Sequence, residues 1–447
     1  MQGRWPRPGH PPAVAAPVFC PSGQEETRPG RRRTPGGEEI VWRTIMIDAA
    51  TAGRPELDID PFSRHSMDNP LELDRAILAG PPVAWVPKYG FWITGRDALA
   101  REAFEDWKRF SSAYGTGLTN VVRDTPWRKP SVILESDPPQ HTVVRRVLSR
   151  VLSPRALRRL EADFRSEAER MVDALVERRR FDLASDLAFA FPFKVLPDAV
   201  GLRPEGRPHL MPYSTLNFNA MGPKNELYQE ALKIVEENGT LEYVVAQMAE
   251  ENLLPGGFGT EIYAAAHAGE ISHEDAGMMV RTFVSAGIDT TVFGIGSTLL
   301  ALIENPDQWD LLRADPKLVR PAFEEGLRWY PPSPVIGRTT AAPTRFGDVE
   351  MGTEEKVMLW LAAANRDPDR WKDPDRFDIT RRPVGHLAFG SGIHGCVGQM
   401  VARLEAASVI GALAAKVKRI TLTDAPERIH INWLRGYSSI PVEVEPA

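Results

Sequence analysis

The 447-residue chain carries 54 Lys and Arg against 60 Asp and Glu, a formal charge of −6, with 43% hydrophobic and 8% aromatic residues. That balance excludes a global electrostatic drive toward nucleic acid or an anionic membrane surface. The charge balance leaves a small-molecule or protein partner as the expectation, the length permits a large core, and the two cysteines, Cys20 and Cys396, exclude a disulfide-built scaffold and fit a reducing cytosol.

The chain opens with 45 residues holding eight Pro, six Gly and seven Arg, the composition of a disordered tail or of a misassigned start. Without it, 47 basic and 56 acidic residues remain, and one domain is expected over 46–447, with Met46 a candidate true start. AVAAPVF is too short and proline-broken to span a membrane, and no secretory cleavage pattern follows it. PPVAWVPKYGFWITG, residues 81–95, predicts a hairpin about a Lys-Tyr-Gly turn. Between Ser153 and Arg179, Ser as N-cap, Pro at the first helical position and apolar Leu157, Leu160, Phe164, Met171 and Leu175 predict an amphipathic helix. Ser272 and Asp275 form a capping box that opens an apolar helix running to Asn305, where Pro306 stops it. At 1.5 Å per residue this helix would span roughly 50 Å. A helix from about Pro321, another after Cys396, and strands at KVMLWL and SSIPVEV complete a mainly α chain with minor sheet and no internal repeat.

Three stretches stand out chemically. FGSGIHGCVG, Phe389 to Gly398, sets Cys396 among Gly390, Gly392, Gly395 and Gly398. Glycines let such a loop approach a bulky flat group, and the expected helix N-terminus favours a thiolate. Alone, the loop equally fits a small buried structural cysteine. SAGIDTT puts Gly287, Asp289 and Thr290 in mid-helix, where Gly costs about 1 kcal/mol against Ala; a hydroxyl bonding back one turn would explain Thr290 but hardly the group. Glu325 and Arg328 are spaced i, i+3 and share a helix face, which singly describes an ordinary surface pair.

In this order the three stretches resemble the cytochrome P450 family of haem-thiolate monooxygenases, over essentially the whole chain from about Asp58 to Pro446. The resemblance implies a triangular helical domain with a long central helix and small β-sheets, binding haem b. Cys396 would be the axial iron ligand, in a loop that includes Phe389, Gly390 and Gly398, and thiolate ligation favours O–O cleavage. His141 and Arg145 of DPPQHTVVRR, Arg338 of GRTT and His394 are similar to the family's partners for the haem carboxylates. Glu325 and Arg328, joined by Arg376 of DPDRF, resemble its structural Glu-Arg-Arg group. Asp289 and Thr290 resemble the acid–alcohol pair of members that use O2. Electrons are then expected from NAD(P)H through a ferredoxin reductase and an iron–sulfur ferredoxin, the protein being a cytoplasmic monomer without membrane or nucleic-acid partners.

TPWRKPSVILESDPPQHT, LNFNAMGPKNEL and MMVRTFVSAGIDTT further resemble the bacterial members that oxidise para-substituted benzoates, including 4-methoxybenzoate. This implies a small aromatic acid held by Arg128, Ser131, Arg281 and Thr282, with Ala286 and Ile336 lining the rest of the pocket. Thr282 stands where the subfamily has Ser, and Val335 and Ile336 where it often has aromatic residues. Thr282, Ala286 and Thr290 are four apart and share one helix stripe. Three alternatives remain: the same chemistry on a neutral phenol, terpene or macrolide, a haem-binding sensor, or a cysteine hydrolase using Cys396 with His394 or His386. SAGIDTT argues against the sensor, and the hydrolase has no general-base signature.

Overall fold

Helical periodicity is realised over much of residues 53–447, which the computed structural model describes. The expected tail and the domain start at Met46 lie outside the described residues, and Pro55–Ala447 cluster as one unit. The helices that frame the site are α1 (Gln140–Val151), α2 (Pro154–Arg178), α3 (Leu210–Met221), α4 (Phe258–His267), α5 (His273–Gly287), α6 (Asp289–Glu304), α7 (Val319–Trp329) and α8 (Gln399–Lys416). The strands of the largest sheet are β1 (Ala84–Val86), β2 (Phe91–Thr94), β3 (Phe110–Ser111), β4 (Val335–Thr340) and β5 (Lys356–Trp360), in spatial order β1-β2-β5-β4-β3.

The expected hairpin is the antiparallel pair β1–β2, and β2 continues into the sheet by pairing in parallel with β5. Antiparallel pairing of β4 with β5 sets Arg338 opposite Val357, which fixes that arginine in the sheet interior. The strand expected near the C-terminus, Pro441–Pro446, pairs with Arg180–Asp182 and Val417–Leu422 in a second sheet.

Ser153 caps α2 as expected, its Oγ accepting from the Ala156 N–H. The helix buries Leu157, Phe164, Val172 and Leu175 and packs against α8, while Leu160 and Met171 stay half-buried. Each large apolar side chain so buried contributes roughly 1.5–3 kcal/mol.

The central helix begins at the expected cap, where the Ser272 Oγ accepts from the Asp275 N–H at 3.0 Å. It is not one unbroken helix: α5 ends at Gly287 and α6 starts at Asp289, with Ile288 between them at φ −84°, ψ −67°. The Thr290 hydroxyl donates to the Ala286 carbonyl at 2.7 Å and the Thr291 hydroxyl to the Gly287 carbonyl at 2.9 Å. Such back-bonding on two successive carbonyls distorts the ladder at this point. Gly287 is therefore at a helix end rather than in mid-helix. A Cβ there would lie 2.8 Å from Leu196 Cδ2, so close packing accounts for the glycine as well. Over His273–Glu304 the segment is long and apolar enough to cross a membrane, but 78% of its most apolar window is buried inside the protein.

Candidate active site

Cys396 lies just before α8, in the loop that the glycine pattern marks, and is half-buried. Gly390 and Gly392 take φ of +67° and +65°, a region costly for other residues, and a Cβ on Gly392 would meet the Phe104 carbonyl oxygen at 2.3 Å. The Cys396 N–H donates to the Phe389 carbonyl at 2.8 Å, which closes the loop on itself. Gly398 sits beside the sulfur, where a Cβ would be 3.9 Å from Sγ.

Burial pushes the Cys396 thiol up, against the backbone N–H groups of Gly398 and Gln399 and the guanidiniums of Arg145 and Arg403, which pull it down. The backbone N–H groups at the helix end act on the sulfur in the expected direction, and burial opposes them. Desolvation of a small anion works against these partial backbone charges, and a cation beside the sulfur favours its ionised form.

Around this loop the four residues expected to meet haem carboxylates do come together. The His141 and His394 rings lie with centroids 4.3 Å apart and planes tilted by 54°, and the Nε2 of each is buried without a hydrogen-bond partner. His394 Nε2 stands 3.8 Å from Asp137, an ion-pair distance too long for a hydrogen bond. Arg145 donates to the Gly395 carbonyl at 2.5 Å, and Arg338 donates to the Gly337 carbonyl at 2.8 Å while lying over the Phe104 ring at 5.0 Å. Burial lowers the pKa of Arg338 to about 10 and, with the neighbouring His394 and Arg145 charges, that of His141 to about 4. This is a buried donor cluster in which, among the described residues, Asp137 is the carboxylate beside it, the environment two propionates would neutralise. The thiol, the glycine loop and this anion-seeking cluster fit a haem.

On the central helix Asp289 is fully buried, and burial raises its pKa to about 7. Ser214, on α3, opposes that rise without completing a hydrogen bond, since its hydroxyl donates to the Ser285 carbonyl at 3.3 Å. Ala286 is exposed although Val284 and Ile288 are buried, and Thr282 and Thr290 are half-buried, so this stripe faces accessible space. Thr290's proton is committed to Ala286, leaving its oxygen lone pairs to accept.

The expected substrate residues are only partly united. Arg128, with 10% of its side chain exposed, pairs with Glu135 at 2.9 Å and donates to Asn217 at 2.7 Å. Arg281 is 8% exposed and donates to the Lys129 carbonyl at 2.8 Å. Its pKa is lowered by burial first, with the Arg128 charge acting in the same direction. Ser131 Oγ accepts from the Ile133 and Leu134 N–H groups at 3.4 and 3.2 Å, and Thr282 donates to the Met278 carbonyl at 2.9 Å. Ile336, on β4, is half-buried.

Glu325 and Arg328 are fully buried and bidentate, both contacts 2.8 Å, rather than a surface pair. The third member is not Arg376, whose side chain is exposed and which supplies only its carbonyl to Arg328 at 3.1 Å. Arg381 takes that place, donating to Glu325 at 3.2 Å. Glu324 was not anticipated. It binds His386 at 2.9 Å and Arg403 at 3.0 Å, and these partners hold its carboxyl at about 2 against the rise due to burial. Arg403 in turn lies over the Phe389 ring at 4.5 Å, so this network braces the cysteine loop from α7 and α8. Its only trace in the sequence is the first carboxylate of EEGLR, Glu324.

Comparison with known proteins agrees with this geometry. The family model described as cytochrome P450 matches residues 260–416. Cytochrome p450 CYP199A2 of Rhodopseudomonas palustris is 44% identical over 397 residues, covering 89% of this chain and 96% of that protein. Linalool 8-monooxygenase of Pseudomonas putida is 30% identical, covering 82% and 93%. Among solved structures, cytochrome P450 CREJ in complex with (4-ethylphenyl) dihydrogen phosphate superposes with a TM-score of 0.75 at 25% identity, covering 87% of this chain and all of that one.

Proposed function

Because the chain belongs to the cytochrome P450 monooxygenase family, we propose that it hydroxylates or O-demethylates a para-substituted benzoate, with 4-methoxybenzoate the first compound to test. The observation that carries this reading is a charge imbalance. Arg128 and Arg281 are both buried and electrostatically coupled, and Glu135 is the carboxylate beside them, so the group retains one positive charge. An aryl carboxylate would neutralise it. Ser131, which accepts two backbone N–H bonds, keeps its own O–H to donate. The ring would then lie along Thr282, Ala286 and Thr290, with the para group toward Thr290.

Bound haem, held by Cys396 with its carboxylates among His141, Arg145, Arg338 and His394, supplies O2 activation using two electrons. Asp289, half protonated near neutrality, passes protons inward, and the lone pairs of Thr290 hold the hydrogen-bonded partner in place. In O-demethylation the methyl carbon gains a hydroxyl, and the resulting hemiacetal collapses to the phenol and formaldehyde. Electrons come from NAD(P)H through a ferredoxin reductase and an iron–sulfur ferredoxin, in the cytoplasm. CREJ, solved with a para-alkyl arene that carries an anionic group, supports an aromatic anion as the class of substrate.

The pairing of Arg128 with Glu135 favours a second reading, the same chemistry on a neutral phenol or terpene. Spectral titration of the haem-loaded protein separates the two. The benzoate reading predicts a saturable shift with 4-methoxybenzoate that weakens about a hundredfold in Arg281→Met. Binding of 4-methoxybenzyl alcohol but not of the acid at millimolar concentration would contradict it.

A further inference from the structure

Away from the haem pocket, α4 ends and α5 begins at a corner that gathers Glu250, His267 and His273, with one ligand-capable atom from each within 4.8 Å of the others. His267 Nε2 lies 2.8 and 3.0 Å from the two Glu250 oxygens, and the His267 and His273 rings meet edge to face with centroids 4.9 Å apart. The backbone under them is braced. Tyr263, one turn before His267, donates its hydroxyl to the Met248 carbonyl at 2.9 Å, which ties the Glu250 segment to α4. The Leu253 N–H donates to the Glu250 carbonyl at 3.0 Å, and Leu202 bridges Leu253 from the other side.

Charge favours a cation here. From Glu250 to Asp275 the chain has six carboxylates and no Lys or Arg. Arg159, Arg150 and Lys129 from elsewhere pair with Glu261, Glu270 and Glu274, so the negative charge that favours the ion is that of Glu250, Glu251 and Asp275. The side chains are reachable, with His267 57% and Glu250 39% exposed. From these observations we propose that Glu250, His267 and His273 bind one divalent cation of the zinc class, with water completing the coordination. Two imidazoles and a carboxylate suit such an ion, whose tetrahedral ligands stand about 3.3 Å apart, so small side-chain rotations close the shell. The bound ion clips the Glu250 segment to the corner that starts the central helix. No redox step and no part of the monooxygenase reaction is involved.

Calorimetric titration of the metal-stripped, haem-loaded full chain with zinc chloride tests this. One saturating equivalent in the micromolar range is expected, together with a rise in the thermal midpoint. His267→Ala and His273→Ala should each weaken binding by at least about tenfold and abolish the midpoint shift. An unchanged carbonyl spectrum would show that both variants are folded. No saturable heat up to millimolar zinc would overturn the proposal. So would equal affinity in the double variant, which would move the ion elsewhere.

Discussion

Glu325→Ala should cost roughly 3–5 kcal/mol of stability, a large share of what a domain of this kind possesses. Glu325 accepts from Arg328 twice at 2.8 Å, from Arg381 at 3.2 Å and from the Asp378 N–H at 3.0 Å, with no exposure of its own. Removing it leaves the wholly buried Arg328 guanidinium without its bidentate carboxylate and leaves the nearly buried Arg381 only the charge of Asp378 nearby. Arg328 would still hold the Asn365, Pro374 and Arg376 carbonyls, so the loop before the cysteine would loosen rather than come free. The same geometry separates the two candidate third members. Arg381→Ala should cost about 1–3 kcal/mol, whereas Arg376→Ala, which removes an exposed side chain, should stay within about 0.5 kcal/mol. Denaturant unfolding of the haem-loaded variants reads these differences, and equal costs for the two arginine variants would contradict the assignment of Arg381.

Asp289→Asn should slow turnover about a hundredfold while stabilising the fold at alkaline pH. Burial raises the folded pKa from the usual 3.8 to about 7, so between these values the native state keeps a proton that the unfolded chain has lost. The stability this confers is fully present below about pH 4 and is lost as pH rises through about 7. A shift of this size is worth roughly 4 kcal/mol between the two plateaus. Asparagine has the same shape and does not ionise. The thermal midpoint of Asp289→Asn should therefore overtake that of the unmodified protein as pH is raised from 5 to 8. A gap that does not change with pH would mean that Asp289 is ionised in the fold or has a partner.

These two residues also show how far the sequence could be read. The capping signals of Ser153 and Ser272, the apolar stripe of α2 and the glycine-bounded cysteine loop are local, because each depends on residues within a turn of one another. They were legible and they hold. The mid-helix irregularity at SAGIDTT was visible as a conflict between composition and periodicity, but its form was not, since the break at Ile288 depends on which carbonyls the hydroxyls of Thr290 and Thr291 find.

What depends on distant segments was not legible. Arg376 and Arg381 are five residues apart in one irregular loop, and only the tertiary path decides which side chain turns inward to Glu325. Arg128 carries the right charge in the right stretch, yet its pairing with Glu135, seven residues on, redistributes the positive charge toward Arg281. Glu324 joins His386 and Arg403 across 62 and 79 residues, and no spacing rule reaches that far. The balance at the Cys396 thiol is not legible for a related reason. Helix-end polarity can be read from sequence, but the competing desolvation appears only when the loop is packed.

The proposed chemistry depends on a bond from the Cys396 sulfur to iron, and the carbonyl complex of the reduced, haem-loaded protein would report it directly. The red-shifted Soret band of thiolate ligation is expected in the unmodified protein, with its loss and no remaining turnover in Cys396→Ser. A histidine-like band in the unmodified protein, or an unchanged band in the serine variant, would contradict the account.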